Sequence, residues 1–255
     1  MLRYSLPLLT LACLSPGLAV HAETVTLAVA SNFAGPAREL AERFEANTGH
    51  RVRIATGSTG KLYAQIVSGA PFDVFMSADE EAPARLLEQK LAAAAAPYAL
   101  GRLVLVSADP ALEDACCLDA LSASRGATVA IANPETAPYG RAAAGFLRRH
   151  AGQSDPRVVR GDNVAQAMHF VASGNARFGL VGVAQIHTRA ADWPGCIAVL
   201  GREQYRGIAQ AAALMQRAAE QPGAVALFAF LYSAEARTII AKWGYTLPLT
   251  ASTGG

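Results

Sequence analysis

Residues 24–30 read TVTLAVA, residues 50–56 read HRVRIAT and residues 72–78 read FDVFMSA. Each is a short apolar run, which is typical of a strand buried in a parallel sheet. The segments between them repeat apolar residues at helical spacing, and the first of these helices has Pro36 in its opening turn and Gly49 at its end. Alternating strands and helices of this kind build a parallel sheet with helices on its faces.

A second series follows, with strand patterns at 127–133, 157–161 and 177–184. A long strand at 98–108 and a return strand at 208–215 could cross between the two series. The run AAAAAP predicts a helix that ends at Pro97. We therefore expect an α/β protein of two lobes, each with a mostly parallel sheet flanked by helices. The predicted bounds are 23–104 plus 209–255 for lobe 1 and 105–208 for lobe 2.

The first residues have the features of a secretory signal peptide. Arg3 is basic, residues 6–18 are apolar, and VHA precedes a predicted cleavage after Ala22. The segment 1–22 is therefore predicted to be removed on export. Lipoprotein processing at Cys13 is the alternative that remains.

The chain has 22 Lys and Arg against 20 Asp and Glu, which favours neither nucleic acid nor a membrane surface as a partner. Export permits disulfides, so Cys196 could pair with Cys116 or with Cys117, or all three could be free thiols. The histidines are scattered without the spacing of metal ligands, and we predict no metal site and no cofactor.

Residues 55–64 read ATGSTGKLYA, which resembles a phosphate-binding loop. A P-loop requires a glycine at position 55 and Ser or Thr after the lysine, but the chain has Ala55 and Leu62. The sequence therefore excludes a nucleotide loop here. A glycine- and serine-rich turn that opens a helix can still bind an anion through its N–H groups.

Four strand-to-helix junctions share this chemistry of small, hydroxyl and amide residues at a helix start. A helix start carries partial positive charge and unpaired N–H donors, and such junctions gather at the carboxyl ends of strands. Two junctions from each lobe would form a cage of neutral donors for a small dianion without protons of its own. The alternative is that these residues are ordinary helix caps. The junctions are ASNF at 30–33, TGSTG at 56–60, APYG at 137–140 and GDNV at 161–164.

The chain resembles the periplasmic molybdate-binding proteins of molybdate ABC transporters over nearly all of its length after residue 22. The order and spacing of several segments carry the resemblance. They are AVASNFAGPARELAERFE, TGSTGKLYAQI, PFDVFMSADEEAPARL, YALGRLVLVS, AIANPETAPYGRAA, GDNVAQAMHFVASG, FGLVGVAQI and FLYSAEARTIIAKWGYTLP.

The resemblance implies a class II periplasmic binding protein that closes on molybdate or tungstate and delivers it to a membrane permease. Ser31 and Ser58 match hydroxyl donors, and Asn32 matches the amide beside the first. Tyr139 and Val164 match contacts made through backbone N–H groups. We expect a monomer, and a binding protein rather than an enzyme.

Some members have a tyrosine whose hydroxyl touches the ion where this chain has Gly182. That contact is absent here or comes from elsewhere. Lys61 is expected to be a solvated bystander, and Asp162 to cap its helix.

Two alternatives to this function remain open. The first is a binding protein for another tetrahedral oxyanion, such as sulfate or phosphate. The second is a hydrolase or transferase, which requires a nucleophile and base in the cleft. None of the four junctions contains a His or Cys.

Overall fold

The computed structural model describes residues 22–113, 115–150 and 154–248, which form two sheets with helices on their faces. The predicted signal segment and Cys13 lie outside the described residues, apart from Ala22. The strands are β1 (Thr24–Ala30), β2 (Arg51–Gly57), β3 (Val74–Met76), β4 (Ala92–Gly101), β5 (Leu103–Val106), β6 (Thr128–Ala132), β7 (Arg157–Gly161), β8 (Phe178–Gly182), β9 (Ile197–Val199) and β10 (Ile208–Met215). The helices are α1 (Ala34–Thr48), α2 (Thr59–Val67), α3 (Glu81–Glu88), α4 (Cys117–Ala123), α5 (Pro138–His150), α6 (Val164–Ala172), α7 (Val183–His187), α8 (Pro222–Phe230) and α9 (Ala234–Lys242).

The two sheets have the same plan. The first has the order β2-β1-β3-β10-β4 and the second β7-β6-β8-β5-β9. In each sheet three neighbouring strands are parallel, and the next two pair antiparallel. The predicted class of two α/β lobes is confirmed, with sheets that are mixed. We use lobe 1 for the first sheet and its helices and lobe 2 for the second.

The first helix shows how the local sequence sets the element. α1 buries the residues that recur at helical spacing, among them Leu40 and Phe44. It ends where Gly49 takes a left-handed φ of 75°, a conformation that costs glycine little. The predicted end of this helix is confirmed.

The prediction of a helix ending at Pro97 is wrong. Residues Ala92–Gly101 form β4, which pairs antiparallel with β10. Alanine has the highest intrinsic helix propensity, but this preference is small per residue, and the pairing with β10 overrides it. Pro97 is tolerated because β4 is at the edge of the sheet and the register shifts beside this residue, so no ladder hydrogen bond is lost there.

Two connections join the lobes. The predicted strand at 98–108 is interrupted at Arg102, so that β4 lies in the first sheet and β5 in the second. The chain returns between β9 and β10. Both crossings lie side by side, because Ile208 pairs with Gly101. The lobes can therefore rotate about a narrow pair of strands.

Helices α8 and α9 complete lobe 1. Within the described part of the chain, no single helix is long and apolar enough to cross a membrane, and α8 with α9 reaches that length only across a bend of 57°. Leu227 and Ile240 of this pair are buried in the core of lobe 1.

A disulfide joins Cys117 to Cys196 in lobe 2, and Cys116 is free and exposed. The structure thus chooses between the two pairings that the sequence left open. Both bonded residues are buried, and the bridge closes a sequence separation of 79 residues. A long closed loop restricts the unfolded chain, which is the main way a disulfide stabilises a fold.

The double variant Cys117→Ala/Cys196→Ala is expected to be less stable by about 2–4 kcal/mol, which lowers Tm by about 5–10 °C. Thermal unfolding followed by circular dichroism measures the change. Cys116→Ser is the control and should melt like the parent protein. Equal losses in both variants would contradict a stabilising role for the bridge.

Candidate functional site

The four predicted junctions meet in one cavity between the lobes. It holds about 190 Å³ of empty space, counted up to its open mouth, and none of the described residues that line it carries a charged side chain. All five residues predicted for the site lie on its wall. The lining consists of Ala30, Ser31, Asn32, Gly57, Ser58, Thr59, Ala78, Ala137, Pro138, Tyr139 and Val164.

The start of α6 shows how one N–H is left for a ligand. Asn163 is the N-cap, and its Oδ1 accepts from the N–H groups of Ala165 at 3.0 Å and Gln166 at 3.2 Å. Its carbonyl accepts from Ala167. The N–H of Val164 has no partner among the described residues, and Val164 lines the cavity. The cap therefore satisfies its neighbours and leaves this one donor free.

The start of α5 also leaves one backbone N–H without a partner among the described residues. Pro138 has no N–H, and the N–H of Arg141 donates to the carbonyl of Ala137. Within the described ranges the N–H of Tyr139 has no acceptor. Lobe 2 thus presents one free donor from each of two helix starts.

Lobe 1 adds hydroxyls to its free N–H groups. Ser58 is 2% exposed and caps α2 by accepting from the N–H of Lys61 at 3.4 Å, which leaves its own proton free to donate. The hydroxyl of Ser31, 7% exposed, has no partner among the described residues. Thr59, which was not predicted, also lines the cavity; its Oγ1 accepts from the N–H of Ala78, and its own N–H has no described partner. The sequence signal was its place directly after the cap.

Asn32 cannot offer its side-chain amide to a ligand. That amide donates to Gln210 Oε1 at 2.9 Å and to the hydroxyl of Tyr245 at 3.2 Å, away from the cavity. Its backbone N–H is in the first turn of a 3₁₀ helix at Ser31–Phe33, where the leading donors have no partner within the helix. The amide available at this position is therefore that of the backbone.

The two lobes touch across the cleft, so the structure is a closed form. The N–H of Gly60 in lobe 1 donates to the carbonyl of Thr136 in lobe 2 at 2.9 Å. Arg141 forms an ion pair with Asp79 at 2.7 Å. The first contact joins the start of α2 to the segment before α5, and the second joins α5 to the segment before α3.

A second ion pair at the rim changes two expectations. Asp162 does not cap α6, since Asn163 does; instead its carboxylate pairs with Lys61 Nζ at 2.9 Å. Lys61 is therefore not merely solvated, and it links the lobes. Both side chains are at least half exposed, so the pair adds at most about 1 kcal/mol.

Residues 25–246 match the family described as bacterial extracellular solute-binding protein. The molybdate-binding protein ModA of Rhodobacter capsulatus is 39% identical over 242 residues, which cover 90% of this chain and 91% of the relative. The chain belongs to the ModA family. The molybdate-binding protein ModA of Azotobacter vinelandii is 36% identical over 241 residues, covering 90% and 92% of the two chains.

Solved structures of other binding proteins have a fold similar to that of this ModA-family chain. The Azotobacter vinelandii periplasmic molybdate-binding protein aligns with a TM-score of 0.78 and 38% identity, covering 88% of this chain and 99% of that one. The sulfate-binding protein SubI of Mycobacterium tuberculosis H37Rv aligns at 0.72 with 17% identity, covering 91% and 88%, and it shares the fold. Membership of this family confirms the prediction of a binding protein rather than an enzyme.

In this ModA-family protein the ring of Tyr139 fills the space above Gly182. A Cβ placed on Gly182 would lie 2.7 Å from Gln185 Oε1 and 3.0 Å from a ring carbon of Tyr139, so a larger residue there would displace both side chains. The same ring reaches Gly101 at the crossing between the lobes, where a Cβ would overlap its hydroxyl. The position that holds a tyrosine in other members is thus covered by a tyrosine from α5.

A buried network surrounds that hydroxyl. Gln210 Nε2 donates to Tyr139 at 3.4 Å, and Gln210 Oε1 accepts from Tyr98 at 2.9 Å and from Asn32. Gln210 is fully buried in β10. It therefore connects a cavity residue of lobe 1 with one of lobe 2, a role that no local pattern around Gln210 predicts.

The phenols of this network stay neutral beside the cavity. Burial raises the pKa of Tyr139 and of Tyr98 well above the usual value, and it also raises the pKa of Tyr245. No phenolate forms at neutral pH, so these groups do not repel an anion. In the described ranges, no group of three or more His, Cys, Asp or Glu residues could hold a metal ion.

Proposed function

We propose that this protein captures molybdate, or tungstate, in the cavity between its lobes and delivers it to the permease of an ABC transporter. The observation that carries the proposal is the meeting of four helix starts, with free N–H and hydroxyl donors, around one uncharged cavity. Two relatives at 39% and 36% identity are molybdate-binding proteins, which favours this ion. No resident cofactor is needed, since the ion is the cargo.

The proposed ligand residues are Ser31, Asn32, Ser58, Tyr139 and Val164, and we add the N–H of Thr59. Each hydrogen bond from these neutral groups to an oxyanion is charge-assisted, and therefore about twice as strong as one between neutral partners. A fully deprotonated dianion fits a set made mainly of donors. A protonated oxyanion such as hydrogen phosphate would also have to find an acceptor.

Closure explains how capture is coupled to delivery. The donors come from both lobes, so the ion can bind all of them only when the lobes meet. That difference in contacts is what lets the ion shift the balance toward the closed form. We propose 23–104 with 209–255 as lobe 1, 105–208 as lobe 2, and the closed monomer as the form that the permease recognises.

We also propose that the protein works in the periplasm after removal of residues 1–22. The matched family is extracellular, and the similar Azotobacter vinelandii structure is periplasmic. Mass spectrometry of the mature protein tests the cleavage, because processing after Ala22 and lipidation at Cys13 give different masses.

Isothermal titration calorimetry with molybdate, tungstate, sulfate and phosphate tests the binding function. We expect molybdate to bind and to be displaced by tungstate. Tighter binding of sulfate would favour the other-oxyanion alternative. The absence of both heat and a thermal shift at millimolar molybdate would rule out the proposal.

Ser58→Ala is expected to weaken molybdate binding about tenfold, because a hydrogen bond to a charged group contributes about 1.5–3 kcal/mol and water can partly replace it. The matched control is Ser233→Ala. Ser233 caps α9 in the same way, accepting from the N–H of Ala236 at 3.1 Å, but it lies away from the cavity. Both variants should lose about 1 kcal/mol of stability as caps. Equal affinities in the two would show that Ser58 is a cap and not a ligand.

A further inference from the structure

A groove opens beside the cavity, between α1 and α9 of lobe 1 and α6 and α7 of lobe 2. It holds about 870 Å³ of space, counted up to its open mouth, and Ser31 lines both the groove and the cavity. Gln185 Nε2 donates to the carbonyls of Ser31 and Asn32, both at 3.2 Å, where the two spaces meet. The groove is thus directly adjacent to the proposed ion site.

The charge of the groove is of one sign. Its charged lining residues are Arg38 and Arg189, both are exposed, and the lining includes no carboxylate among the described residues. Within the described ranges neither arginine forms an ion pair. The nearby Glu39 is held by other partners, since it pairs with Lys242 at 2.9 Å and accepts from Trp243 at 2.7 Å. Its pKa is lowered chiefly by the Lys242 hydrogen bond.

The opposite side of the cleft differs. The groove beside α3 and α5 is lined by three acidic residues, Asp79, Glu80 and Glu81, against Arg141 and Arg206. Arg141 is already paired with Asp79. An approaching dianion therefore meets positive potential at the groove of α1 and α6, and carboxylates on the other side.

We propose that the basic groove is the approach path of the anion, and that Arg38 and Arg189 raise its rate of association without holding the bound ion. This inference rests on the oxyanion site proposed above. Clefts lined by one sign of charge concentrate a counter-ion and increase association rates by about 10- to 1000-fold, and the effect weakens as salt screens it. The cavity itself is neutral, so the bound ion is held by short hydrogen bonds and not by these charges.

Stopped-flow fluorescence with molybdate tests the proposal, and Trp243 in the groove wall is a suitable reporter. The double variant Arg38→Gln/Arg189→Gln is expected to associate about tenfold more slowly at low ionic strength. The difference should nearly vanish at about 1 M salt, where the screening length is about 3 Å. The dissociation rate should change less than twofold.

The matched control is Arg53→Gln/Arg125→Gln, which removes the same charge from two exposed arginines that have no described ion partner and line neither groove nor the cavity. This control should associate at nearly the parent rate. An equal slowing in the control would assign the effect to net charge, and a faster dissociation in the Arg38 and Arg189 variant would make these residues ligand contacts; either result overturns the approach path. Failure of the parent protein to bind molybdate would instead overturn the proposed function.

Discussion

Val164→Pro is expected to weaken molybdate binding about 100-fold while leaving the fold intact. Val164 is the first residue of α6, where proline is well tolerated because its missing N–H is not used by the helix. The preceding Asn163 has φ of −156° and ψ of 176°, an extended conformation compatible with a following proline. The substitution therefore removes one N–H donor and little else from the backbone.

The loss of affinity in Val164→Pro should exceed the roughly tenfold loss expected when Ser58→Ala removes a hydroxyl. A charge-assisted hydrogen bond contributes about 1.5–3 kcal/mol, and each 1.4 kcal/mol is tenfold in affinity. The proline ring also places carbon where an oxygen of the ion would accept the hydrogen bond, so water cannot substitute for the lost donor.

Val164→Ala is the control, because it keeps the N–H and loses only part of a buried side chain. Calorimetry should give nearly the parent affinity for alanine and the large loss for proline. Melting temperatures without ligand should be similar for the two variants. Parent-like affinity in Val164→Pro would show that this N–H does not contact the ion.

The cavity residues were predictable where the signal is local. A cap residue such as Ser58, or a first-turn residue such as Val164, is recognised from the few residues around it, since capping depends on near neighbours. The resemblance to a known family then indicated which of these helix-start residues belong to one ligand site. Strand β4 shows the limit of local signals, because its alanines take their conformation from pairing with β10.

Other features depend on contacts between distant segments. Lys61 and Asp162 are 101 positions apart, and only the closed arrangement of the lobes makes them a pair. Gln210 joins Asn32 and Tyr139 over separations of 178 and 71 positions. The residues next to these positions in sequence do not distinguish a long-range contact from a solvated or packed side chain. These contacts therefore become visible only in the folded structure.

Gly60→Val is expected to block closure and to lower the affinity for molybdate more than 100-fold. Gly60 is the second residue of α2, and a Cβ added there would lie 3.1 Å from the Cα and the carbonyl oxygen of Thr136 in lobe 2. These are backbone atoms, which cannot turn aside as a flexible side chain would. The branched methyl groups of valine extend further, so the strain is relieved by separating the lobes.

Separation removes the donors of lobe 2 from the ion. The N–H groups of Tyr139 and Val164 then lose their contacts, and two such bonds together contribute about 3–6 kcal/mol. The substitution should not destabilise helix α2 itself, since the helix propensity of valine is no lower than that of glycine. Small-angle X-ray scattering at saturating molybdate should give a radius of gyration that stays at the ligand-free value, whereas the parent protein contracts.

Gly145→Val is the matched control, because Gly145 is also in a helix but a Cβ there would meet only arginine side-chain ends, at 3.7 Å and 3.8 Å. That variant should contract on binding and keep the parent affinity. Gly60→Ala should fall between the two, since one methyl group requires a shift of only a few tenths of an ångström. A Gly60→Val protein that contracts normally and binds tightly would show that the rim contact between Gly60 and Thr136 is not needed for capture. The donors of lobe 2 would then reach the ion by a different closed arrangement.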